Sequence, residues 1–565
     1  MDDHLDQFRH DVKTLLADTS RKFGGERYVF AIPLAQNPIR RSQFPEMFVK
    51  EITLLGRECK SQYLIDFHLF ALERAPSGKI WAAGFTMTSN YVDQSRLNYQ
   101  AKRKQHWNTF ARKLDHWRSW GKTYHRRIEE IYSFLISPGS KVLEIGCGEG
   151  DLLAAIHPSA GVGIDFSEEM IRRASDKHPD LNFVIADAHD LAMLDGKFDF
   201  IILSDTIDDL WDVQEVFQQI FPLCERHTRL ILNLHSYLWE SPILLAQKLG
   251  LAVPTLQQNW LVREDITNIL HLTGFEPVRI WQEFLEPLPV PFIDDFVNCF
   301  VVRFWPFREL ALTNFLVARP LLVNKELPKV SVIIPARNEA GNISAIFERV
   351  PQMGSETELI FVEGHSKDNT CAVIEQEMKR HPEQKSGLFN QQGIGKANAV
   401  LLGFEKARGD ILMILDADLT VPPEDLPRFY DALVSGKGEF INGVRLVYPM
   451  EKQAMRLANL LGNKFFSLVF SWMLGQSIKD TLCGTKALWR SDHQKIVANR
   501  SYFGDFDPFG DYDLIFGAAK LNLKIVDLPI RYRERTYGAT NISRWKHGWL
   551  LLKMVIFAAL RLKFI

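Results

Sequence analysis

Between Lys141 and Leu322 short apolar runs ("KVLEIG", "GVGID", "NFVIAD", "FDFIILSD", "TRLILNLH") alternate with stretches of helical periodicity. After the polar segment "VNKELPK", Val323 to Lys329, the alternation starts again with "VSVIIPA", "ELIFVEG", "ILMILDAD" and "EFINGVRL". Parallel strands need crossover connections, and helical crossovers cover both faces of the sheet, so each series demands its own α/β domain. The Pro-containing segment between them reads as a linker. A later pair, "EPVRIWQEFL" and "ALTNFLVARP", is expected to finish the first sheet as a hairpin.

The first 120 residues fit neither series. "QYLIDFHLFALE" and "KIWAAGFTMT" are expected to pair across the turn "RAPSGK", and "KRKQHWNTFARKLDHWRSWGKTYHRRIEEIYSFL" reads as helix with an aromatic stripe, a packing face rather than a binding site. The expected organisation is an accessory α+β region at 1–120, one α/β domain at 121–322, a linker at 323–329 and a second α/β domain at 330–565. A chain of 565 residues is too long for one core, since domains usually run to about 100–200 residues.

Apolar residues make up 46% and charged residues 24%, an ordinary globular balance that rules out disorder as the reason for the length. A net charge of -2 gives the whole molecule no attraction for nucleic acid. Locally the balance differs: from Arg531 onward there are eight Lys or Arg and one acidic residue, Glu534, interleaved with Trp545, Trp549, Phe557 and Phe564. Such a segment suits an anionic membrane surface, or packs on its own domain as a basic helix. The N-terminal "MDDHLDQFRHDVK" is not a signal peptide. The longest apolar stretch, Phe465 to Ile478, has 14 residues between Lys464 and Lys479. That is short of the roughly 18 needed to cross a bilayer, but it can lie on one. Six scattered cysteines without a CxxC read as core residues of a reduced chain. The expected location is the cytoplasm, peripheral on the inner face of the cell membrane.

Two turns carry the chemistry. In "VLEIGCGEGDLL" an apolar strand runs into Gly146, Gly148 and Gly150 and then a helix, so backbone N–H groups can approach a ligand closely. Asp165 stands 19 residues after Gly146, at the end of the next strand, placed to accept hydrogen bonds from ribose hydroxyls. The spacing is GxGxG rather than GxGxxG, and Glu144 precedes the turn; a carboxylate there repels a pyrophosphate and favours a cation such as a sulfonium. In "GDILMILDADLTVPPEDL", Asp416 and Asp418 lie just beyond a strand, and alternate residues of an extended segment share a face. Two carboxylates aimed at one point suit Mg²⁺ or Mn²⁺ with substrate phosphates.

With its companion motifs, the first region resembles the class I S-adenosylmethionine-dependent methyltransferases over roughly Tyr124 to Leu322. "VGIDFSEEMI" is similar to their second motif, "FVIADAHDL" to the third and "FDFIILSDTIDDL" to the fourth. The resemblance implies a Rossmann-like domain whose Asp187 meets the adenine amino group, with Ala188 packed nearby and Asp205 facing the acceptor. His235 and Tyr237, at a strand end, are further candidates on the acceptor side.

The second region resembles the family 2 glycosyltransferases of GT-A fold, nearest the dolichyl-phosphate mannosyltransferases and related polyprenyl-phosphate glycosyltransferases, from Val330 to about Trp549. The resemblance rests on "VSVIIPARNEAGNI", "IFVEGHSKDNT" and "GKANAVLLGFEKARGD" before the DxD pair. It implies a nucleotide-sugar site built from Pro335, Arg337, Glu339, Glu363, Ser366 and Asp368, with Lys396 near the diphosphate and a metal on Asp416 and Asp418. Glu363, Gly364, His365 and Ser366 stand where many members carry Asp-Asp-Gly-Ser, which leaves the nucleotide open. "DTLCGTKALWR", beginning at Asp480, resembles the acceptor-side loop, "FGDFDPFGDYDL" supplies Asp505, Asp507, Asp511 and Asp513, and "RTYGATNIS" resembles the basic loop, in which Arg535 meets phosphate. A phosphate acceptor needs no base, so Arg535 and the metal carry the catalysis; a saccharide hydroxyl needs Asp511 or Asp513.

Together these readings imply a bifunctional enzyme using S-adenosylmethionine and Mg²⁺ or Mn²⁺, with a nucleotide sugar, a polyprenyl-phosphate lipid and a membrane surface as partners. The alternatives are transfer to a saccharide hydroxyl, or a methyltransferase-like domain that serves only as a scaffold.

Overall fold

The computed structural model describes strands at 28–33, 63–72 and 80–89 and residues 94–114, 122–287, 290, 292–323, 326–445, 447–448, 457–499, 511–533, 537 and 544–564. The strands β1 (Tyr28–Pro33), β2 (Tyr63–Leu72) and β3 (Ile80–Ser89) form an antiparallel sheet of order β1-β3-β2. The expected β2–β3 pairing is there, Leu72 opposite Ile80, and β1, not foreseen in the sequence, pairs with β3.

The long helical pattern that follows is two helices, α1 (Gln94–Ala111) and α2 (Lys122–Leu135). The first large sheet is then built from β4 (Lys141–Ile145), α3 (Asp151–Ala155), β5 (Ala160–Asp165), α4 (Glu168–Lys177), β6 (Asn182–Ile185), β7 (Phe198–Ser204), α5 (Val213–Ile220), β8 (Cys224–His235), α6 (Glu240–Lys248), α7 (Arg263–Leu272), β9 (Phe275–Glu283), α8 (Ile293–Cys299) and β10 (Thr313–Pro320). Its order is β6-β5-β4-β7-β8-β10-β9. Strands β4 to β8 are parallel, and β10 runs antiparallel between β8 and β9, which is the expected closing pair. Every residue of β10 is buried, as a strand covered on both faces requires.

The second sheet contains β11 (Val330–Ala336), α9 (Ala340–Arg349), β12 (Thr357–Glu363), α10 (Thr370–Arg380), β13 (Ser386–Asn390), α11 (Lys396–Lys406), β14 (Ile411–Ile414), α12 (Leu426–Val434), β15 (Phe440–Val444), α13 (Leu457–Leu474), β16 (Lys486–Trp489), α14 (Arg490–Ala498), α15 (Asp511–Lys520), β17 (Ile525–Pro529) and α16 (Arg544–Leu562). The order is β13-β12-β11-β14-β16-β15-β17, with β16 antiparallel to both neighbours. Both domains are thus α/β with mixed seven-stranded sheets.

Of the two roles open to them, helices α13 and α16 take the packing one, each leaving a second face exposed. One face of each packs in the core, through Phe470, Met473 and Leu474 on α13 and Leu551, Met554 and Ala558 on α16. The other face of each is exposed, with Leu468 at 73% and Trp549 at 62%. Among the described residues no helix is long and apolar enough to cross a membrane.

The two sheets join through charged residues at particular strand ends. Arg229 near the start of β8 reaches Glu439 before β15 and the carbonyl of Asn522 before β17. Arg319 at the end of the antiparallel β10 bonds Glu276 and the Gly436 carbonyl, and Lys524 pairs with Glu276 at 3.1 Å. Arg226 bonds Asp492, after the antiparallel β16, and covers the Trp489 ring at 4.5 Å. All of these lie where the parallel strands of their sheet begin. The C-terminal strand ends, where α/β folds bind ligands, therefore point away from this seam in both domains.

Candidate functional site

The first site lies on the ends of the adjacent strands β6, β5, β4 and β7. Gly146, Gly148 and Gly150 all have positive φ, at 76°, 51° and 75°. At two of them a side chain has no room: a Cβ at Gly146 would stand 2.3 Å from Thr206 Oγ1, and one at Gly150 2.5 Å from the Phe183 ring. Asp165, the last residue of β5, accepts from the Gly148 amide at 3.1 Å and the Ser167 amide at 2.8 Å, which fixes its carboxylate beside the glycine turn. Burial raises its pKa to about 6 despite these bonds. Glu144 in β4 is buried, one of its oxygens has no partner, and burial pushes its pKa to about 8, with Asp165 and Asp151 adding repulsion. A buried carboxyl with one unpartnered oxygen beside a side-chain-free turn fits the cationic nucleoside S-adenosylmethionine. Asp187 after β6 accepts from the amide and Nδ1 of His189, whose Nε2 accepts from the Asp212 amide, and Ala188 is buried beside it.

Next to this turn the ends of β7 and β8 build a polar cluster. Asp205, at φ 51°, accepts from Tyr124 Oη at 2.8 Å and from Asn233 Nδ2. His235 donates from Nδ1 to Asp208 at 3.0 Å and stacks on Tyr124 with ring centres 6.1 Å apart. Burial opposes a charge on His235, but the Asp208 hydrogen bond and the charges of Asp205 and Asp208 outweigh it and raise its pKa to about 9. Helix α1 covers the same end: Trp107 Nε1 donates to Asp209 at 2.7 Å, and Asn108 bonds Ser167 Oγ and the Glu169 amide.

The second site spans the ends of β12, β11 and β14. Pro335 is half-buried in β11 and Arg337 is exposed just after it. Asn338, at φ 58°, turns the chain so that its amide donates to Ser366 Oγ at 3.0 Å while its side chain accepts from the Lys367 amide. The Glu339 amide donates to Thr370, and Asp368 accepts from Thr370 and from the Ala340 amide. Glu363 ends β12; burial works against its charge, but bonds from Ser366 and His365 hold its pKa below the usual range. These contacts lock two loops into one shelf.

Facing that shelf, Lys396 at the start of α11 pairs with Asp416 at 2.6 Å. Burial opposes the Asp416 charge, yet Lys396, Lys486 and Arg445 keep its pKa low. Asp418 accepts from Thr420 N and Oγ1, and the Arg533 amide donates to the Thr420 carbonyl, which brings the chain after β17 beside the DxD turn. A Cβ at Gly484 would stand 2.1 Å from Lys396 Nζ, so the 482–485 loop closes directly on this pair. Among the described residues no third carboxylate, histidine or cysteine completes a metal group here. Two carboxylates nevertheless fit Mg²⁺ or Mn²⁺, which commonly take the rest of their coordination from substrate phosphates and water.

Two family models match the chain, a methyltransferase domain over residues 114–280 and glycosyl transferase family 2 over residues 331–497. The chain joins a methyltransferase domain to a family 2 glycosyltransferase domain. The glycosyltransferase domain is similar to the undecaprenyl-phosphate 4-deoxy-4-formamido-L-arabinose transferase of Pseudomonas aeruginosa (strain LESB58), 31% identical over 40% of this chain and 64% of that protein. The chain spans less than two thirds of the length of such relatives. Among solved structures, the methyltransferase domain is similar to magnesium protoporphyrin IX methyltransferase from Synechocystis PCC 6803 (20% identity, 35% of this chain, 83% of that chain, TM-score 0.26). The glycosyltransferase domain is similar to glucosyl-3-phosphoglycerate synthase from Mycobacterium tuberculosis (16% identity, 42% of this chain, 80% of that chain, TM-score 0.31).

The methyltransferase domain gathers Glu144, the three glycines, Asp165, Asp187, Ala188 and Asp205 on four neighbouring strand ends, and the glycosyltransferase domain gathers Pro335 to Asp416 on three. One expectation is corrected by geometry: Asp480 is fully buried, and its oxygens accept from Arg445 Nε, Nη2 and N, Asn463 Nδ2 and the Leu482 amide. These bonds make it a residue that positions the loop. Asp513 lines an apolar cleft with Ala397 and Phe404. Asp511 opens α15, but its side chain, like Asp505, Asp507 and Arg535, lies outside the described residues. Tyr124, Asn233, Asp208 and Arg445 join the two sites without a signal in the sequence that marks them. Tyr124 lay in the aromatic stripe taken for packing, and a residue type in a helix does not say which strand end it meets.

Proposed function

We propose that the glycosyltransferase domain transfers a sugar from a nucleotide-sugar donor to a polyprenyl phosphate with inversion, and that the methyltransferase domain methylates an acceptor of unidentified structure. Residues 1–120 are accessory, 121–322 bind S-adenosylmethionine, 323–329 link, and 330–565 hold the donor. The observation that carries the reading is the Lys396–Asp416 pair beside Asp418, with the loop at Gly484 closed on it. The names of the curated relatives, undecaprenyl-phosphate sugar transferases, support the lipid acceptor.

In this reading the shelf of Pro335, Arg337, Glu339, Glu363, Ser366 and Asp368 holds the nucleoside, and Lys396 moves from Asp416 to the donor diphosphate. Asp416 and Asp418 would hold a divalent cation, which would supply neutralisation of charge on the leaving diphosphate. A phosphate oxygen of the acceptor forms the new bond to the anomeric carbon as the bond to the nucleoside diphosphate breaks. That oxygen is already anionic, so no base is required, and Arg535 steers it. The exposed faces of α13 and α16, with Leu468, Trp549, Lys553 and Arg561, rest on the inner face of the cell membrane.

In the methyltransferase domain Asp165 takes the ribose, Asp187 the adenine and Glu144 the cationic end of S-adenosylmethionine. The cofactor supplies an electrophilic methyl group. His235, held protonated at neutral pH by Asp208, orients the acceptor and is not its base.

The test is incubation of the purified chain with Mg²⁺ or Mn²⁺, radiolabelled nucleotide sugars and polyprenyl phosphate in detergent, followed by organic extraction. Label in the organic phase that disappears with Asp418→Ala supports the lipid-phosphate reading. An empty organic phase with transfer to a saccharide moves the acceptor to a hydroxyl and makes Asp511 and Asp513 the residues to test.

A further inference from the structure

The seam between the two domains contains a cleft that neither reaction uses. Its floor is the outer strand β9, with Arg279, Trp281 and Glu283; one wall holds Arg303, after α8, and the other is formed by the ends of α13 and α16, with Trp472 and Lys563. It lies at the end of the second sheet away from Asp416, since Gln476 on its rim bonds the carbonyl of Leu523, just before β17.

Its charges do not balance. Glu283 is the one carboxylate among the lining residues, and it is taken by Arg303 and by Arg127 at 3.5 Å. Arg127 bonds Glu130 as well, and Arg308 on the rim bonds Glu309 at 3.0 Å. Arg279 and Lys563 feel the Glu283 charge only at longer range. Among the described residues neither has a carboxylate within ion-pair distance. Arg279 lies 4.0 Å over the Trp281 ring and Lys563 5.3 Å from the Trp472 ring. Lys520 stands beside Arg279, its ammonium bonded to the Phe134 carbonyl.

Burial together with the neighbouring arginines outweighs the attraction of Glu283 and pushes Lys563 down to about 7; burial, with Arg303 adding repulsion, likewise outweighs Glu283 and lowers Arg279 to about 10. Such a group of cations opposes folding, and an anion bound among them would relieve the repulsion; ionisable groups perturbed by burial and like charge, sitting in a cleft, are candidates for a binding site. A fork-shaped guanidinium opposite a compact ammonium suits a phosphoryl group, whose oxygens accept from both. Beside the cleft Phe304, Trp305 and Phe307 are exposed, Trp305 at 74%.

We propose that this interdomain cleft binds a phosphoryl group, as a monophosphate or diphosphate, through Arg279 and Lys563. The exposed rings beside it offer a bed for the hydrocarbon of a lipid phosphate, whereas a free phosphate would use the cations alone.

The test uses the full chain carrying Asp418→Ala, so that failure of the glycosyltransferase reading does not bear on it. Tryptophan fluorescence and Tm are followed during titration with inorganic phosphate, pyrophosphate, a polyprenyl phosphate in detergent micelles and the corresponding alcohol. A phosphoryl probe is expected to bind saturably and raise Tm, and Arg279→Gln with Lys563→Gln to weaken it by about tenfold or more. Arg279→Lys should keep most of the binding, and the double variant should unfold no earlier than its parent, because it removes repulsion. Saturation by the lipid phosphate alone assigns a lipid; saturation by pyrophosphate or phosphate as well assigns the phosphoryl group itself. Absence of saturable phosphoryl binding, equal affinity in the double variant, or equal binding of the alcohol overturns the proposal.

Discussion

The guanidinium of Arg229, in β8 of the methyltransferase sheet, holds both carboxylate oxygens of Glu439, just before β15 of the glycosyltransferase sheet, at 2.9 and 2.8 Å, and both side chains are 2% exposed. The remaining polar atoms are also used: Arg229 Nε donates to the Asn522 carbonyl, and Glu439 accepts from the Lys524 amide. The pair sits behind both sites, so the domains form one body whose two ligand-binding ends point apart. An intermediate passing from one site to the other must leave the first.

Removing one partner leaves the other charge buried and alone, which costs about 3–5 kcal/mol. Glu439→Ala is therefore expected to lower the unfolding free energy by about that much, whereas Arg229→Met with Glu439→Leu recovers most of the loss by replacing the pair with apolar contact. Denaturant unfolding of the three variants measures this. A single variant within about 0.5 kcal/mol of the parent would show that the seam does not depend on this pair.

Asp418→Ala is expected to abolish sugar transfer while leaving S-adenosylmethionine affinity unchanged, because the two sites share no residue and lie on opposite ends of the body. The measurement is a transfer assay run beside a cofactor titration. Loss of cofactor binding as well would break the two-site reading.

Asp165→Ala removes the acceptor proposed for the ribose hydroxyls. A hydrogen bond to a charged group contributes about 1.5–3 kcal/mol, so cofactor affinity should fall by about tenfold or more for each bond lost. Asp165 also holds the amides of Gly148 and Ser167, which Asp165→Asn can still serve with one oxygen, so Asn should bind more tightly than Ala. Unchanged affinity in the Ala variant would sink the assignment.

Much of this was legible in the sequence for local reasons. Strands buried on both faces read as apolar runs, and Gly146 and Gly150 announce turns that only glycine can make because Thr206 and Phe183 fill the space above them. The closing pair β9–β10 followed from the same patterning. What stayed hidden depends on residues far apart in the chain. Nothing in "DTLCGTKALWR" says that Asp480 turns inward to Arg445 rather than outward to a substrate, because the deciding guanidinium lies 35 residues earlier. The unpaired state of Arg279 and Lys563 arises only where β9 meets the end of α16.

Glu144 supplies the last prediction. Burial raises its pKa to about 8, so at pH 7 the unliganded site holds mostly the neutral carboxyl, whereas a nearby sulfonium favours the carboxylate. Binding of S-adenosylmethionine at pH 7 should therefore release a proton, and affinity should rise with pH until it levels off above about 8. Asp165, near 6, is already largely ionised at that pH and contributes little of the signal. The linked effect on the free protein has a fixed sign: a carboxyl whose folded pKa is raised contributes stability below its ordinary value of 4.5, and that stability is lost as pH climbs through about 8. Titration calorimetry in buffers of different ionisation enthalpy measures the released proton directly. Glu144→Gln should bind without proton release and lose the rise in affinity with pH; a heat independent of buffer in the parent chain would mean that Glu144 does not meet the cation.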